Sequence, residues 1–372
     1  MANINDYLEW RGDVPLSLEN AFNEIDSMIL ARFSYLLFNK IKMSDKETIK
    51  SISSKMKEFK NEEFLYNGDK QLITNLGLAR RFRDLIVTDY VENNEKEAEK
   101  QFRGITIHIN EDEMYVSYIG TDATIYGWKE DFNMAFMENV PCQLEGKKYL
   151  EKVASKYPNK RIRIGGHSKG GNVAIYSAIT ASKEIQKRII KVYNYDGPGF
   201  NKKIIEQYNK NSIISKITTY MPQDSVIGRI MGHEEKCLIS LSTEKGIYQH
   251  DIYSWQVIGT DMIYSAELTN TSETMNKTIT NWLENTTNDQ RKMFVDTVFD
   301  LFYSTEAKTF GEMSKNISTN LPIIYKKYEE MPLEDKKMAI DMAKLFMRTY
   351  FKELFGKEKE ESKHKKPKIR KE

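Results

Sequence analysis

An α/β fold built on a mostly parallel sheet is what this sequence predicts, from three observations. Strand-like and helix-like segments alternate from about residue 105 to 243. A strand runs straight into a glycine-flanked serine and then a small-residue helix at 161–177. The chain has 372 residues, 40% of them hydrophobic and 11% aromatic, enough for one large core with an appendage.

The elements follow in order. Leu18, Phe22, Ile25, Met28, Ile29 and Phe33 recur at helical spacing, so residues 16 to 104 read as helical, with helices at Asn20 to Phe38, Lys46 to Phe59 and Leu72 to Thr88. The period changes near Phe102. Ile105 to Ile109 and Met114 to Ile119 alternate with period two around Asn110-Glu-Asp-Glu and read as a hairpin. Then come a helix at 141–156, a strand at 161–165, a helix at 170–186, a strand at 189–195, a helix at 201–210, and strands at 215–221 and 236–243. From about Leu268 the pattern is helical to Phe355, with Trp282, Phe294, Val298, Leu301 and Phe302 on one stripe and Met338, Met342, Leu345, Phe346 and Tyr350 on another. Helix-bundle packing explains both stripes better than a lipid-facing surface. The expected organisation is a domain over 1–265 with a helical N-terminal part (1–100), a C-terminal helical domain over 266–355, and a basic, disordered tail over 356–372. From Lys357 on, that tail carries eight Lys or Arg against four Glu, a composition that offers weak contact with an anionic membrane surface.

Net charge is +2 with both signs interspersed, which argues against a nucleic-acid partner. Cys142 and Cys237 are too few and too distant in sequence for a disulfide scaffold or a zinc site, and neither a basic-then-apolar leader nor a membrane span is expected. A cytoplasmic location is expected.

Chemistry concentrates at Gly166-His167-Ser168-Lys169-Gly170. A serine on a tight strand-to-helix turn takes strained backbone angles, stands clear of the sheet, and faces the positive end of the next helix. Acyl transfer then needs a base, an acid to orient it, and donors for the oxyanion. The histidines after the serine are His233, His250 and tail residue His364. His250, in a loop beyond the 236–243 strand, is the expected base, and His233, in a charged stretch, is expected to face solvent. Asp224 and Asp196 both follow strands, where open α/β sheets bind ligands. Asp224 is the expected orienting acid because it precedes the histidine loop, whereas Asp196 can serve its own Gly197-Pro198-Gly199 turn. Asp251 is adjacent to His250 and badly placed to face it. The oxyanion donors expected are the N–H of Lys169 and, from Gly120-Thr121-Asp122, the N–H and hydroxyl of Thr121. Trp128, Glu130 and Asp131 read as packing or supporting residues.

Taken together, Gly120-Thr-Asp, Gly127-Trp-Lys-Glu-Asp, Gly166-His-Ser-Lys-Gly-Gly-Asn, Tyr195-Asp-Gly-Pro-Gly-Phe, Asp224-Ser-Val-Ile-Gly and Gln249-His-Asp resemble a bacterial lipase-like α/β-hydrolase family, known chiefly as a domain of unknown function and similar to fungal class 3 lipases. The resemblance runs from Asp6 to about residue 262. It implies an α/β-hydrolase fold, with Ser168 as nucleophile, Asp224 as acid and Thr121 as oxyanion donor. Tyr118-Ile-Gly-Thr121 has Ile119 where those lipases carry arginine, Asp224-Ser-Val-Ile has Ile227 in place of proline, and Lys169 stands where they carry an apolar residue. The expectation is a serine hydrolase cleaving carboxylic esters, with an ester or lipid-like small molecule as substrate and no metal or organic cofactor. The rival reading is a non-catalytic hydrolase fold used as a binding or scaffold module.

Overall fold

The computed structural model describes residues 1–122, 124–208 and 212–364. Among these, nine strands join one sheet in the order β1-β2-β3-β4-β5-β6-β7-β8-β11. They are β1 Lys46–Thr48, β2 Ile86–Glu95, β3 Lys100–His108, β4 Glu113–Tyr118, β5 Arg161–His167, β6 Ile189–Tyr195, β7 Ile217–Pro222, β8 Lys236–Ser240 and β11 Tyr264–Ser265; β9 Val257–Ile258 and β10 Asp261–Met262 pair separately. The pairings from β4 to β8 are parallel and those at both flanks antiparallel. This is the sheet of an α/β hydrolase.

Parallel strands need crossovers, and helices supply them on both faces. On one face α1 Ile4–Arg11, α2 Glu24–Phe33, α3 Ile49–Met56 and α4 Asp69–Leu78 form a core with Tyr115, Tyr193 and Tyr195 of the sheet. A reciprocal pairing of Asn23 and Asp26 starts α2, and Asp26 also takes the guanidinium of buried Arg81, at 2.7 Å from Nε to Oδ1. On the other face α6 Pro141–Lys156, α7 Lys169–Thr180 and α9 Lys202–Tyr208 cover the sheet around Ile162, Ile164 and Val192, with α8 Lys183–Arg188 leading into β6. Strands β4, β5 and β6 therefore lie between α2 and α7. Every residue of α7 from Lys169 to Ala178 is buried, which explains its small side chains.

The N-terminal third departs from the helical expectation. Lys46–Thr48 and Ile86–Glu95 are strands, and α2 stops at Phe33. Ile86-Val-Thr is β-branched and pairs along β3, whose partner β4 lies far downstream of the helices. Non-local pairing overrides a local pattern that continued the helix past Leu78. The predicted hairpin is present as β3 and β4, and the 170–186 helix is split by Ala181 and Ser182 into α7 and α8.

After β11 the chain is helical: α10 Asn270–Glu284, α11 Asn288–Tyr303, α12 Phe310–Lys315, α13 Ile317–Glu330 and α14 Leu333–His364. Trp282 packs edge-on against Phe294 and Phe346 at 6.0 and 6.2 Å, so the apolar stripes face one another. Helix α14 runs into the segment read as a tail, and residues 365–372 of that segment lie outside the described residues. Between β4 and α6 a further helix, α5 Ile125–Asn133, packs against α11. No helix among the described residues is long and apolar enough to cross a membrane.

Candidate active site

The site is assembled at the C-terminal ends of β4 to β7. Ser168 follows β5 with φ 57° and ψ −135°, a strained conformation for a residue with a side chain, and its N–H is held by the Tyr195 carbonyl at 2.8 Å. The turn closes only because its neighbours lack side chains. A Cβ on Gly166 would lie 2.3 Å from the Gly170 carbonyl carbon, and one on Gly170 would lie 2.3 Å from the Tyr118 carbonyl oxygen. As the first residue of α7, Lys169 has an N–H with no carbonyl of its own helix to bond.

His250 lies in a short 3-10 turn, Gly246–His250, and its Nδ1 is 2.6 Å from Oδ2 of Asp196. An ionised carboxylate has no hydrogen to give, so Nδ1 carries the hydrogen and Nε2 is left as the acceptor. Asp196, 1% exposed, follows β6 at φ 50°. Its N–H bonds the Tyr220 carbonyl at 2.7 Å, and its Oδ1 accepts from the Ser225 hydroxyl at 2.5 Å and the Gly228 N–H at 3.1 Å.

The expected acid, Asp224, is not the carboxylate that His250 bonds. Its carboxylate accepts from the Gly246 N–H at 2.6 Å and from the Thr269 hydroxyl, while its own N–H bonds Gln249 Oε1 at 2.8 Å. It ties down both the start of the His250 turn and the approach to α10, and His250 bonds Asp196 instead. The physical reason is adjacency. β6 lies directly beside β5, so a carboxylate raised from its end stands next to the serine turn, and a Cβ on Gly197 would lie 2.4 Å from the Ser168 carbonyl oxygen. His233 is also unlike its expectation. Its side chain is 6% exposed, and its Nδ1 is 2.8 Å from Glu235 Oε1 at the start of β8. Asp251 caps its own turn through the Tyr253 N–H at 3.0 Å.

His167 joins the site although nothing in the acyl-transfer pattern calls for it. Its ring lies 4.5 Å from that of His250, centroid to centroid, and its Nε2 is 2.8 Å from the His250 carbonyl oxygen, so Nε2 carries the hydrogen and donates. Burial, reinforced by neighbouring His250, pushes His167 well below the ordinary histidine range and keeps it neutral. The residue before the serine thus fastens the loop that carries the imidazole. Its position inside the glycine motif was the available signal.

Lys169 and the 127–131 segment also prove to be one device. The Lys169 side chain, 1% exposed, is 2.9 Å from both Glu130 Oε2 and Gln101 Oε1, so it faces inward rather than toward a ligand. Burial opposes its charge, but Glu130 and Asp131 outweigh burial and hold the ammonium above its ordinary value. Glu130 also accepts from the backbone N–H groups of Gln101 at 3.0 Å and Cys142 at 2.8 Å. The Thr121 hydroxyl donates to Asp131, so its one hydrogen is committed there and the backbone N–H is the donor it retains.

Burial pushes the Asp131 carboxyl up to about 6, against the pull of Lys169. Between about pH 4 and 6 the folded chain therefore holds a proton that the unfolded chain has released, and stability falls as pH rises through that window. Asp131→Asn removes the fall. Its stability relative to wild type is expected to be greater at pH 7.5 than at pH 4.5, by at most about 3 kcal/mol, and its relative melting temperature rises with it. Scanning calorimetry at the two pH values checks this, and an equal difference at both contradicts it.

Among the described residues, His233, Glu235 and Cys237 have potential metal-ligating atoms within 4.8 Å of one another, but at the start of β8 rather than at the strand ends that carry Ser168. Both cysteines are free thiols.

A family model described as Mbeg1-like matches residues 76–300. Similar solved structures include a Rhizomucor miehei lipase–propeptide complex (12% identity, 48% of this chain and 70% of that one, TM-score 0.35), the Lip2 lipase of Yarrowia lipolytica (10%, 50% and 72%, 0.31) and a structure described as a fungal lipase (13%, 67% and 87%, 0.39). No curated protein matches the chain.

Proposed function

The chain belongs to the Mbeg1-like family, and on that footing we propose that it is a serine hydrolase that cleaves carboxylic esters through an acyl-enzyme. The observation that carries the reading is the imidazole of His250 paired with buried Asp196, which ends the strand next to the one that leads into Ser168 at positive φ. A buried carboxylate, a histidine fixed in one tautomer and a strained serine at a helix N-terminus are the parts that nucleophilic acyl transfer requires.

In the proposed reaction Ser168 Oγ attacks the ester carbonyl while His250 Nε2 takes its proton. Asp196 holds the imidazole in the right tautomer and stabilises its positive charge. The N–H groups of Lys169 and Thr121 meet the negative charge on the carbonyl oxygen, aided by the positive end of α7. His250 then gives its proton to the leaving alcohol, which departs and leaves an ester on Ser168. Water, deprotonated by His250, attacks that ester, His250 returns the proton to the departing Ser168 oxygen, and the carboxylic acid is released from the regenerated serine. No step calls for a metal or cofactor.

The test is hydrolysis of p-nitrophenyl esters. Wild type is expected to turn over, and Ser168→Ala is expected to lose on the order of 10⁶-fold in kcat. A folded wild-type protein that cleaves no ester supports the binding-module reading instead.

A further inference from the structure

Between α5 and α11 lies a cavity of about 710 Å³. Its walls include Trp128 and Phe132 from α5 and Val298, Phe299 and Phe302 from α11, and Thr121 also lines it. We infer that this groove receives the acyl chain of the ester, and that α11, outside the sheet and its covering layers, is the wall that sets acyl-chain length. The inference rests on the proposed esterase reading and names the substrate class for it.

Three observations carry it. First, the groove is continuous with the site, because Thr121 lines it and a Cβ on adjacent Gly120 would lie 3.0 Å from Ser168 Cβ. An ester carbonyl held at Thr121 would direct one substituent between the two helices. Second, Trp128 and Phe132 are 37% and 48% exposed on the same helix, and apolar walls of this kind favour a ligand with no polar groups to desolvate. An alkyl chain fits that description, and a sugar or a peptide does not. Third, the two helices are pinned together around the opening. Lys129 of α5 is 2.8 Å from Asp296 of α11, Phe132 meets Phe299 edge-on at 5.6 Å, Arg291 donates to the Ala135 carbonyl at 2.9 Å, and the Ile125 N–H donates to the Lys308 carbonyl at 3.0 Å. These contacts fix the two walls of the groove relative to each other.

The experiment compares kcat/KM on monomeric p-nitrophenyl esters from butanoate to octanoate for the full chain, Val298→Trp and Met293→Trp. Val298 is half-buried in the groove wall, whereas Met293 lies on the exposed side of α11. Wild type is expected to gain roughly fourfold per buried methylene, on the order of 10²-fold across the series. Val298→Trp fills the groove and is expected to lower the octanoate-to-butanoate ratio at least about tenfold, while Met293→Trp keeps the wild-type ratio. Butanoate turnover with a flat series, or a ratio unmoved by Val298→Trp, overturns the groove and leaves the esterase reading standing. Octanoate binding to Ser168→Ala, measured by calorimetry, decides the matter independently of turnover. Binding that Val298→Trp abolishes supports the groove even if no ester is cleaved, and absence of binding overturns it.

Discussion

Asp196→Asn is expected to lower kcat by on the order of 10⁴-fold while leaving the fold intact. With its one oxygen kept as acceptor for Ser225 and Gly228, the amide presents an N–H to His250 Nδ1. The imidazole then loses its charge partner and is no longer held with Nε2 free. Asp224→Asn, by contrast, weakens bonds to the Gly246 N–H and the Thr269 hydroxyl and is expected to cost less than about tenfold, in line with neutral hydrogen bonds that position a loop. Steady-state kinetics on the two variants side by side separate the candidates. Equal losses, or a larger loss at Asp224, contradict the assignment of Asp196.

The second large effect is on stability. Lys169→Met leaves Glu130, 0% exposed, without its cation, which is expected to cost about 3–5 kcal/mol in chemical denaturation. Adding Glu130→Gln removes the stranded charge while keeping an acceptor for the Gln101 or Cys142 N–H, so the double variant is expected to recover at least about 1 kcal/mol of that loss. A double variant less stable than Lys169→Met would show that the two groups do not act as a pair. Because Glu130 lies on α5 and Lys169 begins α7, the pair also fixes the segment after Thr121 against the serine turn.

What the sequence disclosed and what it hid follow from the range of the interactions. The serine turn was legible because its constraint is local: Gly166 and Gly170 are required by atoms within a few residues or on the next strand. The parallel strands were legible because short apolar runs alternated with helical periods. The acid was not, because Asp196 and Asp224 each end a strand, and only strand order says which stands beside β5. Asp196-Gly-Pro-Gly also reads as an ordinary turn, and its φ of 50° serves both roles at once. The inward turn of the Lys169 side chain was hidden because its partner Glu130 is 39 residues upstream. Strands β1 and β2 were read as helix because the residues that hold β2 belong to β3 and to the distant packing of α2 and α4.

Intact-mass analysis after treatment with a fluorophosphonate tests the central claim most directly. The account predicts one adduct, mapped to Ser168, formed by wild type, absent from Ser168→Ala and greatly slowed in His250→Ala. No adduct on folded wild type, or an adduct that persists in Ser168→Ala, would contradict it.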